Sequence, residues 1–199
     1  MQKINVIMDL ESPPRGLKRK FISLACAVGA LGLTHIAALA DQSDWFEGFN
    51  NKVRLIGIAK PVEDPTKAYY AGVEIQMSSG FKTYWRNPGE AGGIPPEFDW
   101  AGSENLAAAQ VFYPAPHRLV DKAGTNIGYK DAVIFPVLIT PSDPAKPVTL
   151  HLKTVYGVCK NICIPAEADL TLDVSPSSQD VPALEEARKS VPKVLAVGA

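Results

Sequence analysis

The chain has 199 residues, 46% of them hydrophobic and 21% charged, with a formal net charge of −1. That length suits one domain better than two, and that composition can bury a core without a covalent staple. The near-zero charge, with no basic stripe, argues against nucleic acid and against an anionic membrane surface as partners. In chain order the first feature is an export signal. Arg15, Lys18, Arg19 and Lys20 precede an apolar run from Phe21 to Leu39, which ends in Ala38-Leu39-Ala40 ahead of Asp41. A basic stretch, an apolar stretch and an A-x-A site form the pattern of a cleaved signal peptide, residues 1–40, starting at Met1 or Met8. The apolar run approaches spanning length. Gly29, Gly32, Thr34 and His35 weaken it as an anchor, so no stable membrane insertion is expected after cleavage. Cys26 leaves with the signal, and the domain of residues 41–175 enters the periplasm with two cysteines.

Beyond the signal the segments are short and β-like, and 17 prolines with 15 glycines supply the turns between them. Residues 53–59 form the first predicted strand. Residues 68–77 alternate, with Tyr69, Ala71, Val73, Ile75 and Met77 on one face, and Ser78-Ser79-Gly80 predicts a hairpin into 81–86. Residues 87–96, rich in glycine and proline, are irregular. A short apolar run over 108–113 precedes a loop over 114–129. Residues 132–140 are apolar on both faces, as in a central strand, although Pro136 calls for a bulge or an exposed N–H there. Val148, Leu150, Leu152 and Thr154 share a face in 148–156, as do Leu170, Leu172 and Val174 in 168–174. These two strands flank the cysteines, which places the pair near a hairpin tip. Residues 182–190 read as a short helix capped by Asp180 and ended by Pro192, within a peripheral tail 176–199. The predicted fold is all-β: an antiparallel immunoglobulin-like β-sandwich with a short C-terminal helix.

Cys159 and Cys163 are separated by Lys160, Asn161 and Ile162. This spacing permits a bridge if the chain turns tightly. As a staple it is weak, since closing so short a loop contributes only about 2 kcal/mol. Lys160 beside Cys159 favours the reactive thiolate, and Glu167 opposes that effect or carries protons during exchange. Three roles fit the residues: a redox pair, a structural bridge, or two thiolates holding a soft ion such as Cu(I). The last needs further donors from His117, His151 or Met77. His151 sits on the polar face of its strand and reads as a surface residue, and His117 is the better donor. The leading reading needs neither metal nor cofactor. Phe81, Phe98 and Trp100 read as core, while Tyr84, Trp85 and Arg86 precede the Gly/Pro loop and are candidates for partner contact. Tyr129 and Tyr156 read as packing beside the pair, with Pro165 and Glu167 just after it.

Four segments together carry a family resemblance: FKTYWRNPGEAGGIPPEFDW (81–100), YPAPHR (113–118), IGYKDAVIFPV (127–137) and YGVCKNICIPAEADLTL (156–172). They resemble the N-terminal periplasmic domain of the thiol:disulfide interchange protein DsbD, in the branch of copper-sensitivity-suppressor proteins and stand-alone alphaproteobacterial relatives. The resemblance implies an immunoglobulin-like sandwich with a redox pair at one end. Such a pair takes electrons from a thioredoxin-like domain and passes them to periplasmic clients, among them disulfide isomerases and cytochrome c maturation factors. Carried over by position, Cys163 forms the mixed disulfide and Cys159 resolves it, and 117–126 matches a loop that caps the pair. Better-known members space their cysteines more widely and carry aromatics in that loop, where this chain has Leu119 and Val120. No membrane or thioredoxin-like domain is expected in this chain. Its reductant would then be a thioredoxin-like periplasmic protein or a separate membrane thiol reductase.

Overall fold

The computed structural model describes residues 42–59, 68–121, 124–175 and 181–193. The expected signal peptide with Cys26, and the expected cap Asp180, lie outside the described residues. The elements are β1 (Phe46–Gly48), β2 (Asn51–Ala59), β3 (Tyr69–Met77), β4 (Lys82–Tyr84), β5 (Glu97–Asp99), β6 (Leu106–Val111), β7 (His117–Asp121), β8 (Gly124–Lys130), β9 (Ala132–Pro141), β10 (Val148–Cys159), β11 (Cys163–Val174) and α1 (Pro182–Lys189). One sheet runs β1-β2-β3-β9-β6; the other runs β11-β10-β4-β8-β7, with β5 also paired to β10. Every named pairing among the described residues is antiparallel, and the two sheets form the immunoglobulin-like sandwich.

The period-two pattern explains why these segments pair. In β3, Tyr69, Ala71, Val73, Ile75 and Met77 all point inward and are buried. They meet Val148, Leu150, Leu152, Leu170, Leu172 and Val174 from the opposite sheet in one core. Burying each large apolar side chain stabilises the fold by about 1.5–3 kcal/mol, so a one-residue slip of either strand would forfeit several such terms at once. β9 is apolar on both faces because both are covered. Val133, Phe135, Val137 and Ile139 face the core, while Ile134 packs against the Ile56–Leu184 cluster that α1 makes outside the sheet. There Gly72 is required, since a Cβ would come within 2.8 Å of Ile56 and 3.0 Å of Leu184. α1 carries a proline in its first turn and has Val181, not Asp180, at its N-cap position, without a side-chain cap.

Two expectations need correction, and a third, at Pro136, resolves to one of its two alternatives. Ser78-Ser79-Gly80 does not make a hairpin: β3 pairs with β2 and β9, while β4 pairs with β8 and β10. The turn, with Gly80 at φ 81, carries the chain from one sheet to the other. Local turn chemistry is the same for both outcomes, and only long-range pairing distinguishes them. Residues 114–129 are not a loop, because β7 and β8 form an edge hairpin. Exposed His117, Arg118 and Val120 hide the alternation there. At Pro136 there is no bulge in the ladder with β3. Its carbonyl accepts from the Phe112 amide, just past the end of β6. In a strand a residue's N and O face the same way, so the missing donor falls where the neighbouring ladder has already ended.

Candidate functional site

The site grows out of the longest ladder in the molecule. β10 and β11 stay in continuous register from Val148↔Val174 to Cys159↔Cys163. Cys159 is therefore the last residue of one strand, Cys163 the first of the next, and Lys160-Asn161-Ile162 the turn. Facing residues of an antiparallel pair hold their side chains on one face and close together. Here the two Cα atoms lie 4.1 Å apart and the sulfurs are bonded to each other. The two cysteines differ sharply in access. Cys159 is only 2% exposed, whereas Cys163 is exposed.

Both cysteines line a cleft of about 590 Å³ with Lys82 and Tyr84 from β4, Asn126 from β8 and Ala91 to Gly93 from the loop after β4. The covering loop is held at both sides of β4. Ala91 donates its amide to the Thr125 carbonyl on β8, and Gly157 on β10 donates to the Ile94 carbonyl. Gly93 lies directly on the Tyr84 ring, where any Cβ would collide with the aromatic carbons at 2.5 Å. Gly157 matters for a similar reason: its Cβ would sit 3.1 Å from Cys163 Sγ and from Ile94. The Tyr84 hydroxyl lies 3.9 Å from Cys163 Sγ. A disulfide sulfur carries no proton, so the phenol is the donor in that contact.

The remaining candidates are distributed more widely. Trp85 packs against the core, with the Arg86 guanidinium over its ring at 4.7 Å. Lys160 also lines the cleft, with its Nζ 5.3 Å from the Phe81 ring centroid and 3.5 Å from the Ser79 carbonyl. Pro165 faces Gly157, two rungs from the cysteines. Glu167 faces Val155, four rungs away and roughly 13 Å along the strand at about 3.3 Å per residue. It lines a different depression with Glu97, Lys153 and Asp169. That depression holds neither cysteine. Tyr129 and Tyr156 belong to the core: Tyr129 donates to the Pro114 carbonyl at 2.9 Å, and Tyr156 donates to Asn51 Oδ1 at 2.6 Å. Burial pushes both phenols up, so both keep their protons near neutral pH and neither acts as a proton carrier. Phe81, Phe98 and Trp100 pack against the core. Of the 117–126 stretch, Asn126 is the residue that lines the cleft among the described ones.

The donors considered for a soft metal do not converge. His117 is exposed on the edge strand β7, and Met77 is in the core. His151 Nδ1 is 2.9 Å from the Ala101 carbonyl and its Nε2 is 2.7 Å from Asp169. Among the described residues no group of three His, Cys, Asp or Glu gathers as a metal site. Sequence reasoning missed Lys82 and Gly157, and reached Asn126 only as the end of the 117–126 stretch. Lys82 shares the strand parity of Tyr84, two residues on, and that parity was the available signal.

The family model described as thiol:disulfide interchange protein DsbD, N-terminal, matches residues 59–175. The N-terminal periplasmic domain of ScsB from Proteus mirabilis superposes with a TM-score of 0.57 at 26% identity, over 76% of this chain and 60% of that one. The chain thus spans less than two thirds of that structure. A yeast GGA1 GAE domain aligns at a TM-score of 0.37 and 11% identity, over 66% of this chain and 99% of that one, and carries no argument. No curated protein matches. With more than half of its length matched and the cysteine hairpin inside the match, the chain belongs to the DsbD N-terminal domain family.

Proposed function

We propose that this chain is a periplasmic thiol–disulfide exchange domain that relays electron pairs through Cys159 and Cys163. The observation that carries the reading is the unequal access of two bonded sulfurs on facing rungs, one buried and one exposed. A thiolate from a reducing partner can reach Cys163 and not Cys159. Its attack forms a bond to Cys163 Sγ, breaks the Cys159–Cys163 bond and releases Cys159 as thiolate. The partner's second thiolate then attacks the mixed disulfide, leaving the partner oxidised and the pair reduced by two electrons. Transfer to a client runs the same steps backwards. Cys163 thiolate opens the client disulfide, and Cys159 resolves the mixed disulfide and releases the client as a dithiol. The reductant is a thioredoxin-like periplasmic protein or a separate membrane thiol reductase. The export pattern of residues 1–40 and the likeness to the periplasmic domain of ScsB support the location.

The test is the reduction potential of the couple in the mature domain, by thiol alkylation across glutathione and dithiothreitol buffers. A carrier is expected between about −200 and −270 mV, the span of exchange proteins. A value below about −300 mV, typical of structural bridges, would sink the relay and leave a protein-binding module with a permanent bridge.

A further inference from the structure

The exchange reading leaves a difficulty at Cys159. Each direction of the relay passes through a Cys159 thiolate, as the group that leaves Cys163 or the group that attacks it. Yet Cys159 is the buried sulfur. Burial disfavours the charged form of a thiol, so an unaided Cys159 would hold its proton and stall at the mixed disulfide.

The fold places a cation at this point. Lys82 is the register partner of Cys159, and the two residues form the contact by which β4 joins β10. Directly opposed residues of an antiparallel pair project from the same face with their Cβ atoms about 4.5–5.5 Å apart. Lys82 is 8% exposed and lines the same cleft as both cysteines. Its Nζ lies 5.8 Å from the centroid of the Tyr84 ring, and the Tyr84 hydroxyl is the group next to Cys163 Sγ. A lysine this buried is uncommon, and this one lies on the cleft face of its strand.

Among the described residues no carboxylate lines the cleft, whose polar side chains include Lys82, Tyr84, Asn126, Lys160 and Asn161. Lys160, from the turn, reaches toward Phe81 and Ser79. Lys130, facing Lys82 from β8, is exposed, as are Arg86 and Glu90 on the covering loop. On β11 the first acidic residue is Glu167, four rungs from the pair.

We propose that Lys82 is the positioning residue for the resolving cysteine: its ammonium stabilises the Cys159 thiolate and so commits mixed disulfides to resolution. This rests on the exchange reading above. In the oxidised state the ammonium faces a neutral bridge; in the mixed-disulfide and reduced states it faces an anion. Its effect therefore falls on the step made by Cys159 more than on the step made by Cys163.

An aromatic disulfide, 5,5′-dithiobis(2-nitrobenzoate), separates the two steps. Reduced mature protein attacks it through Cys163, releasing one thionitrobenzoate and leaving a mixed disulfide. Cys159 then attacks Cys163 Sγ, closes the protein bridge and releases the second. In Lys82→Met the second phase should slow about tenfold relative to the first at neutral pH, with its pH midpoint about one unit higher. Lys82→Arg should restore the midpoint. A second-phase midpoint unchanged in Lys82→Met overturns the proposal. If that variant does not fold, Cys163→Ser in the otherwise native domain isolates Cys159. A Cys159 midpoint at or above the ordinary thiol value of about 8.5 overturns the proposal equally. A wild-type pair that releases no thionitrobenzoate at all would instead remove the exchange reading itself.

Discussion

From Val148 to Thr154 the β10 strand sends every second side chain into the core, and Ala168 to Val174 on β11 answer with buried partners. From Gly157 to Cys163 the same ladder carries a glycine, a turn and two sulfurs, and its outward face lines a cleft. Register is continuous across both halves. The far half supplies stability by apolar burial, and the near half supplies a bond that can be broken. Keeping them in one ladder positions the sulfurs by the far half's register. The chemistry does not depend on the turn alone.

That division can be broken at either end. The largest effect is expected at the tip. Cys163→Ser should abolish exchange with a thioredoxin-like dithiol partner, while Cys159→Ser should accumulate a mixed disulfide visible on a non-reducing gel. Neither should lower the midpoint of denaturant unfolding by more than loss of the bridge does. At the far end Leu152→Ala should cost about 2–5 kcal/mol in denaturant titration, by lost transfer energy and a cavity, and leave the potential unchanged. A shifted potential would mean the halves are coupled. Tyr156→Phe, near the boundary, should cost about 1–3 kcal/mol, because Asn51 Oδ1 loses its buried donor. Tyr84→Phe removes the hydroxyl beside Cys163 and should change the exchange rate two- to fivefold, roughly the weight of 0.5–1 kcal/mol for one weak hydrogen bond.

The smallest effect lies at His151. The Ala101 carbonyl and the Asp169 carboxylate both accept, so only the imidazolium satisfies both ring nitrogens. These contacts, the carbonyl's first, raise the His151 pKa. A raised folded-state pKa adds stability that is complete below the unfolded value of about 6.5 and disappears as pH rises through the folded value. The ring is solvent-facing, so the contribution is screened. In Asp169→Asn the His151 midpoint followed by NMR should fall, with the exchange rate unaltered.

How much of this was legible in the sequence depended on the range of the interaction. The alternation of Tyr69 to Met77, and of Val148 to Thr154, is a local signal with one physical reading, and those faces are buried as expected. The cysteine hairpin was legible for the same reason: two alternating strands flank a three-residue gap. Ser78-Ser79-Gly80 was misread because a turn sequence does not say which sheet the chain enters next. β7 and β8 were missed because an edge hairpin leaves polar side chains on faces that a central strand would bury. Lys160 drew attention because it is adjacent to Cys159 in the chain, whereas Lys82 is 77 positions away in sequence and adjacent in space. Pairing across strands that do not follow one another in sequence is what a single sequence conceals.

The facing register of Cys159 and Cys163 has a bearing on turnover. A covalent link between residues that the backbone ladder already holds opposite each other removes little freedom from the unfolded chain, about 2 kcal/mol for so short a loop. Opening the bridge therefore should not unravel the hairpin, since eleven further rungs from Val148 to Val158 hold without it. On the exchange reading proposed above, reduced and oxidised protein share one architecture, and each round of exchange returns to its start without a refolding event. On that reading the domain can be loaded and discharged repeatedly, and its reduced form gives up only the small share of stability that the bridge supplies.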